Sequence, residues 1–490
     1  MSSRPNILLL LTDQERADLV APDGLPVETP NIDRLRESGM WFESAYTPVS
    51  ICTSARASLL TGLYPHAHGL LNNSHEADAI RTDLPPSIPT FGELLDEGGY
   101  DNTYLGKWHV SHSRGPGDFG FRYFGGSDVH HDNFDVAFDY YRETRGISVE
   151  EAAVEDRIYA GEGEAKTFVA GTDPVPIEAS RPYFLAEVTI NALERWVSGD
   201  AESGRESARA AAGPFFHRTD FLGPHHPYVV PEPYASMYDP DDIEPWPNYV
   251  ESFDGKPRVH KRYLEYRGVA DFDWETWSRS IAKYFGFMTL IDDQIGRILD
   301  ALEKLGVADD TIVVHTSDHG DLTGSHRLFN KGPMMYEETY RIPLIVRWPG
   351  VVDAGSRSSA LVGLHDIMPT FLDWADVDGP EDIHGRSLEP LLRGDDPDTI
   401  GWPDSIYAQY HGDEFGLYSQ RMVRTADYKF VYNGPDRNEL YDLNADPHEL
   451  QNLIAHPHYE KVRTEMQRRL AEWMDEVDDS LRRWVPKTFS

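Results

Sequence analysis

The chain has 490 residues, a length that suits one large domain and a smaller one, and 40% of them are hydrophobic, enough for a sizeable core. Acidic residues outnumber basic residues 83 to 45, and the resulting formal charge of −38 argues against nucleic acid or an anionic membrane as a partner. The acids are spread along the chain, which is typical of a solubilising surface and equally of a protein from a salt-rich environment.

The first apolar segment, residues 6–11, is too short for a signal peptide or a membrane-spanning helix, and no later apolar stretch is long enough to span a bilayer. Cys52 is the only cysteine, so an intrachain disulfide is excluded. Together these features predict a cytoplasmic protein.

Two continuous apolar runs, residues 6–11 and 311–316, have the pattern of strands buried on both faces in a parallel sheet. Helix-like stretches lie between them, for example residues 279–305, and this alternation predicts an α/β fold. The runs are followed by Asp13 and Asp318 respectively. Because ligands bind outside the carboxyl ends of the strands in open α/β sheets, both acids are predicted to lie at the functional edge.

The remaining organisation follows from composition. Residues 127–181 are irregular, acidic and rich in aromatic residues, which indicates an insertion over the site, a possible lid. A Pro-, Gly- and Asp-rich stretch over residues 379–398 marks a domain boundary; beyond it, residues 422–432 suggest antiparallel strands and residues 459–484 a terminal helix. We therefore predict a large α/β domain over residues 1–385 and a smaller α+β subdomain over residues 386–490.

Cys52 is followed four residues later by Arg56, at the start of a predicted helix. A lone cysteine is most often a small buried apolar residue. A helix N-terminus beside a guanidinium group, however, is a favourable seat for an oxyanion. The Cys52 segment is therefore a candidate catalytic site.

The Cys52–Arg56 pattern, which continues into a Leu-Thr-Gly helix, resembles the signature Cys-x-Pro-x-Arg or Cys-x-Ala-x-Arg of the formylglycine-dependent sulfatases. Ser54 departs from it, because the family usually has Pro or Ala there. Further segments resemble family landmarks in the family's order, so the resemblance spans almost the whole chain; they are residues 4–14, 105–109, 224–227, 316–320 with Lys331, 366–370 and 439–443.

The resemblance implies an alkaline-phosphatase-like fold, in which a large mixed, mostly parallel sheet is flanked by helices. It also implies hydrolysis of a small-molecule or saccharide sulfate ester. A maturation enzyme would oxidise Cys52 to formylglycine, whose hydrate carries two hydroxyl groups on one carbon. One hydroxyl attacks sulfur, and the second loses its proton so that sulfate is expelled. A serine has only one oxygen and could not complete this cycle.

The resemblance also implies a divalent metal with Asp13, Gln14, Asp318 and His319 as ligands, since carboxylate and carbonyl oxygens bind hard cations. Many family members have Asp-Asp where this chain has Asp13-Gln14, so the site has one negative charge fewer. Ca²⁺ is favoured by resemblance, and Mn²⁺ and Mg²⁺ are alternatives.

The remaining predicted site residues would handle the sulfate and the protons. Arg56, Lys107 and Lys331 would neutralise the sulfate oxygens. His109 would take the proton from the second hydroxyl, and His225 would protonate the departing alcohol.

Two other functions stay open. One is hydrolysis of a phosphonate or phosphate ester by a member of the same family, with which the Asp13-Gln14 and Asp318-His319 pairs are compatible. The other is a non-catalytic binding protein in which Cys52 stays a thiol, as Ser54 would suggest. The arrangement of acids and bases expected around Cys52 argues against a mere binder.

Overall fold

A computed structural model describes residues 4–124, 133–147, 154–163, 166–198, 213–413 and 415–489. In these residues the strands, in chain order, are β1 (Asn6–Asp13), β2 (Met40–Phe42), β3 (Ala45–Tyr46), β4 (Asp101–Gly106), β5 (Arg122–Tyr123), β6 (Glu155–Ala160), β7 (Thr167–Asp173), β8 (Phe215–Pro224), β9 (Tyr228–Pro231), β10 (Thr311–Ser317), β11 (Arg341–Ile342), β12 (Leu344–Arg347), β13 (Ser356–Ser358), β14 (Val362–Gly363), β15 (Ser405–Asp413), β16 (Gly416–Thr425), β17 (Tyr428–Asn433) and β18 (Glu439–Asp442).

The α-helices of the described residues are α1 (Pro30–Ser38), α2 (Cys52–Thr61), α3 (Pro65–His68), α4 (Phe91–Glu97), α5 (Asn133–Thr144), α6 (Arg181–Ser198), α7 (Arg258–Tyr266), α8 (Trp274–Lys304), α9 (Glu337–Tyr340), α10 (Ile367–Ala375), α11 (Glu389–Leu392) and α12 (Glu460–Glu476). The longest, α8, begins earlier than expected, because the Asp273 side chain caps it by accepting a hydrogen bond from the Thr276 amide. None of the helices in the described ranges is long and apolar enough to span a membrane.

The main sheet has eight strands in the order β13-β2-β12-β10-β1-β8-β4-β5. Strands β10, β1, β8, β4 and β5 are parallel, and β12 pairs antiparallel with β10 and with β2. Every residue of β1 is buried. The two faces of β1 belong to different cores: Leu8 and Leu10 pack in the core that includes α1, α6 and α8, whereas Ile7 and Leu9 pack in the core that includes α2, α4 and α10. A strand covered on both faces must be apolar throughout, as the sequence predicts.

The C-terminal part of the chain forms a second sheet, in which β15, β16, β17 and β18 pair antiparallel in that order. The expected fold class, a mostly parallel sheet with helices and a smaller antiparallel sheet near the C-terminus, is therefore confirmed. The terminal helix ends earlier than expected, at Glu476. The Asp479 carboxylate beyond it is buried and accepts hydrogen bonds from Arg421, Tyr407 and the Leu481 amide, which hold the chain out of a helical path. The boundary predicted at residue 385 stays a prediction.

The predicted insertion, residues 127–181, lies partly outside the described residues. Its described part contains α5, β6 and β7, and β7 pairs with β6 on one side and with β9 on the other. The turn that follows β7 leads into α6, which packs against α8. The described part of the insertion therefore lies next to the carboxyl end of β8, at the edge of the sheet that carries the candidate site.

Candidate active site

The carboxyl ends of parallel strands meet at one edge of a sheet, and three of them, with the start of one helix, supply the site. Asp13 ends β1, Lys107 follows β4 and Asp318 follows β10. Cys52, the first residue of α2, faces the same edge. One ligand atom from each of four buried residues lies within 4.8 Å of the others, and these residues are Asp13, Cys52, Asp318 and His319. The structure therefore brings together three of the four predicted metal ligands and the predicted nucleophile.

The Cys52 thiol is buried in this group. Its Sγ lies 3.2 Å from Nε2 of His319 and 4.0 Å from Oδ1 of Asp13. Burial opposes ionisation of the thiol, but the positive charges of Lys107 and Lys331 outweigh it, so the pKa of Cys52 lies well below its ordinary value. The position of Cys52 is thus one that stabilises negative charge.

Arg56 lies in a buried network of ion pairs. Its guanidinium group is fully buried, and its three nitrogens each donate to a different carboxylate: Nη2 to Asp13 at 2.9 Å, Nε to Asp318 at 2.9 Å and Nη1 to Asp220 at 2.6 Å. The predicted contact of Arg56 with sulfate oxygens stays a prediction. In the structure, Arg56 neutralises and orients Asp13, Asp318 and Asp220.

Asp220 was not identified from the sequence. It lies in β8, where it accepts hydrogen bonds from Arg218 at 2.6 Å and from the Tyr104 hydroxyl at 2.9 Å, besides Arg56. Strand β8 lies between β1 and β4. An acid close to the end of an apolar strand was the signal that identified Asp13, and the same signal could have found Asp220.

Gln14 follows Asp13 with a positive φ of 66°. Its amide nitrogen Nε2 donates to Asp321 at 2.7 Å and to Asn330 at 3.0 Å, and its Oε1 accepts from Lys331 Nζ at 3.2 Å. The Gln14 side chain thus links Asp321 and Asn330 to Lys331, and its role as a metal ligand stays a prediction. Asp321 and Asn330 carry no motif of their own in the sequence.

Two predicted proton-transfer residues lie on the same edge. His225 Nδ1 donates to the carbonyl of His226 at 2.5 Å, and its Nε2 accepts from Lys331 Nζ at 3.4 Å. His109 is buried and hydrogen-bonds through Nε2 to His75. Burial and the charge of Lys107 keep the pKa of His109 well below its ordinary value. A neutral imidazole at this place can accept a proton.

The four clustered residues fit a divalent cation. His319 Nδ1 donates to the Gly320 carbonyl at 2.9 Å, so the lone pair of Nε2 points into the group. Burial and the adjacent charge of Asp13 raise the pKa of Asp318, whereas Lys107 and Arg56 hold the pKa of Asp13 below its ordinary value despite burial. Two carboxylates and an imidazole in a buried pocket are a donor set that a divalent ion would complete.

A cavity of about 490 Å³ lies next to these residues and is lined by Lys107 and His225 on the side of the site. Its volume falls within the range of roughly 300–1,000 Å³ that is usual for small-molecule sites. The other walls come from the insertion, from α6 and from α8. The cavity is thus the place where the organic part of a substrate would lie.

Comparison with known proteins gives two matches to family models: the model described as Sulfatase matches residues 5–377, and that described as N-sulphoglucosamine sulphohydrolase, C-terminal, matches residues 324–476. An N-acetylglucosamine-6-O-sulfatase of Bacteroides thetaiotaomicron is 28% identical, over 98% of this chain and 88% of that protein. An arylsulfatase of Clostridium perfringens is 30% identical, over 94% and 92%. The crystal structure of a phosphonate monoester hydrolase of Agrobacterium radiobacter superposes with a TM-score of 0.79 at 26% identity, over 97% of this chain and 96% of that one.

Proposed function

The chain belongs to the sulfatase family, and from this premise we propose that it hydrolyses a sulfate ester with a formylglycine made from Cys52. The observation that carries the proposal is the group formed by Cys52, Asp13, Asp318 and His319, within 4.8 Å at the start of a helix. A maturation enzyme would convert Cys52 before or during folding, since the side chain is buried in the folded chain.

Asp13, Asp318 and His319 would hold the divalent metal, with Gln14 as a further candidate ligand. Ca²⁺ is the ion that the family resemblance implies, with Mn²⁺ and Mg²⁺ as alternatives. The metal would supply positive charge that makes a neighbouring oxygen a stronger nucleophile. Arg56 keeps the two carboxylates oriented by donating to both of them.

The remaining charges suit a sulfate group that is attacked in line. Lys107 and Lys331 neutralise its oxygens, because both ammonium groups lie beside Cys52 and lower its pKa. His109, held neutral by burial, accepts a proton from the hydroxyl at position 52. In its doubly protonated form, His225 donates a proton from Nε2 to the departing alcohol, while its Nδ1–H donates to the His226 carbonyl.

The substrate class is drawn from the relatives. The 28% identical relative is named for the 6-O-sulfate of N-acetylglucosamine, so we propose a saccharide or other small organic sulfate ester for this chain. A phosphonate monoester is the second candidate, because of the structural similarity to the phosphonate monoester hydrolase. Measurements of kcat/KM on sulfated sugars, aryl sulfates and phosphonate monoesters will rank the two candidate substrate classes. A higher kcat/KM on phosphonate monoesters than on sulfate esters would replace the first candidate by the second.

The metal proposal is tested by Asp13→Asn and Asp318→Asn. Each is expected to lower turnover at least about 100-fold, because removal of a ligand impairs both metal affinity and the charge that activates the nucleophile. Metal content, measured by mass spectrometry of the purified protein, should fall in parallel. Each variant should also melt earlier, because Arg56 loses part of its buried carboxylate environment.

Chelation tests the same site without a substitution. Exhaustive chelation should abolish activity, and re-addition of Ca²⁺, Mn²⁺ or Mg²⁺ singly will identify the ion that restores it. Near-normal turnover by the fully chelated protein would contradict the proposal.

A further inference from the structure

The cavity beside His225 is built mainly by elements outside the family motifs. Its outer wall carries Phe138 and Arg142 from α5, Asp173 from the end of β7 and Arg181 from the start of α6. Its floor is apolar, with Leu222 from β8 and Phe287 and Leu290 from α8 among its residues. The predicted insertion therefore shapes the space that the alcohol part of a substrate would occupy.

The described residues that line the cavity are mainly basic among the charged ones, whereas the molecule as a whole is acidic. The chain as a whole has 83 acidic and 45 basic residues. Among the residues that the structure describes, in contrast, the cavity lining contains the cations Lys107, Arg142 and Arg181 and one acid, Asp173. Burial raises the pKa of Asp173 in spite of the two arginines. Lys107 belongs to the reacting end of the cavity, so Arg142 and Arg181 are the remaining basic residues of its described lining.

The two guanidinium groups are arranged around one aromatic ring. The Arg142 Cζ lies 4.2 Å from the centroid of the Phe138 ring, and the Arg181 Cζ lies 5.7 Å from it. Arg142 also forms an ion pair with Asp139 at 2.6 Å, whose carboxylate is largely exposed and does not line the cavity. An ion pair held this near to solvent contributes little and leaves the cavity face of the guanidinium available to a ligand.

We propose that Arg142 and Arg181 bind a second anionic group on the alcohol half of the substrate, a carboxylate or a further sulfate. This inference rests on the proposed sulfatase function and narrows its substrate class. The sulfate to be cleaved lies at Lys107 and His225, the apolar body of the alcohol packs against the floor, and the second anion reaches the arginine wall. A guanidinium fork is suited to either oxyanion because it offers paired N–H donors.

The test uses two aryl sulfates of nearly the same shape, one with an anionic and one with a neutral para substituent: para-carboxyphenyl sulfate and para-carbamoylphenyl sulfate. The wild-type chain is expected to favour the carboxylate about tenfold or more in kcat/KM, mostly through KM, since a charge-assisted hydrogen bond is worth about one order of magnitude in affinity. Arg142→Gln and Arg181→Gln should each shrink this preference, and the double variant should abolish it. The rate on the carbamoyl compound should stay within about twofold.

Arg145→Gln is the matched control. Arg145 lies in the turn directly after the helix of Arg142 but pairs with Glu187 at 3.1 Å and does not line the cavity, so its variant should keep the preference. Arg142→Lys should retain part of it, because the charge remains. A bis-sulfate of hydroquinone, run beside the carboxylate, will show which oxyanion the wall prefers.

A binding arm separates this inference from the proposed function. Calorimetric titration with para-hydroxybenzoate and para-hydroxybenzamide, the alcohols of the two esters, needs no turnover. If neither ester is cleaved but the wild-type chain binds the benzoate more tightly and the double variant does not, the anion site stands and the sulfatase proposal fails. Equal affinity for both alcohols, absence of binding, or a preference that survives in the double variant would overturn the inference.

Discussion

Ser54, two residues after Cys52, lies where the family usually has proline or alanine. It lies in the first turn of α2, where its side chain is buried and its hydroxyl has no hydrogen-bond partner among the described residues. Backbone amides in a first helical turn need no intrahelical acceptor, so proline is compatible with this position. The family's usual proline would therefore fit the same backbone.

We predict that Ser54→Pro raises the fraction of Cys52 converted to the aldehyde in a bacterial host, because proline favours the extended chain that a maturation enzyme must bind. The turnover of each mature site should not change. Intact-mass measurement of both variants, set beside activity, checks this, and Ser54→Ala is the control that removes the hydroxyl without restricting φ. Almost complete oxidation of wild-type Cys52 would show the idea to be wrong.

His225 carries the second prediction at this scale. General acid catalysis contributes about 10²–10⁴-fold, and more when the leaving alcohol is basic. We expect His225→Ala to lower kcat by that amount on a sugar or alkyl sulfate and far less on para-nitrophenyl sulfate. Equal losses on the two substrates would mean that His225 only binds the sulfate, as its contact with Lys331 at 3.4 Å would permit.

Among the elements, the pairing of β4 with β8 decides where Lys107 lies. Gly106 ends β4 opposite Asp220 and has a φ of 107°, and a Cβ atom there would approach the Asp220 carbonyl oxygen to 2.0 Å. The close approach of the two strands, which brings Lys107 and Asp220 to one edge, thus depends on the absence of a side chain.

Gly106→Ala is therefore expected to lower the free energy of unfolding by about 2 kcal/mol or more and to reduce activity by displacing Lys107. Gly117→Ala is the control, because a Cβ at Gly117 would meet no atom within 4 Å; it should change stability by less than about 0.5 kcal/mol. Urea unfolding of both variants measures the difference. Equal midpoints for the two would contradict the role assigned to Gly106.

At the scale of the whole molecule, buried charges join the small C-terminal sheet to the large domain. Lys429 of β17 pairs with Glu337 at 2.7 Å and with Glu449 at 2.8 Å. Lys256 donates to Tyr441 of β18 at 2.8 Å and lies 3.5 Å from Glu251. Since single charges left unpaired in such an interface are costly, the two parts are expected to unfold together.

Glu251 makes the buried charges beside this interface sensitive to pH, because it pairs with Lys256 and His326. Burial disfavours its charged form, but the hydrogen bond from His326 at 2.9 Å and the charge of Lys256 outweigh it and lower the pKa of Glu251 to about 2 from 4.5. A carboxyl group whose pKa is lower in the folded state stabilises it above the unfolded pKa, and this stabilisation is lost as pH falls from 4.5 towards about 2.

Glu251→Gln should therefore cost about 3 kcal/mol near neutral pH, from about 1.4 kcal/mol per unit of pKa difference, and its cost should shrink as the medium is acidified below the unfolded pKa. Urea unfolding of wild type and variant at neutral pH and at several pH values between 4.5 and about 2 measures this. Glu97→Gln, at an exposed position of α4, is the control and should be neutral throughout. A cost that does not change with pH would contradict the assignment.

The sequence alone determined the fold class and most of the site. Residues 6–11 and 311–316 are continuously apolar, which is the pattern of strands that are covered on both faces. The carboxyl ends of such parallel strands meet at one edge of the sheet, and Asp13 and Asp318 therefore lie at that edge. The motif order then identified Cys52 and its family, which the family match confirms. These signals are local in the chain, so they can be read without coordinates. The roles of the site residues, the domain boundary and the cellular location stay predictions.

The tertiary structure decided what depends on contacts between distant segments. Arg56 donates a hydrogen bond to Asp318, which lies 262 residues away in the sequence, and Lys331 donates one to Gln14 across 317 residues. The sequence around one residue of such a pair does not indicate which residue is its partner. The same holds for Asp220, which became part of the site only through Arg56, and for the cavity wall, where α5, β7 and α6 converge. The local sequence pattern predicts which face of a helix or strand is buried. Which charged side chains come into contact at that face is decided only by the packing of the whole chain.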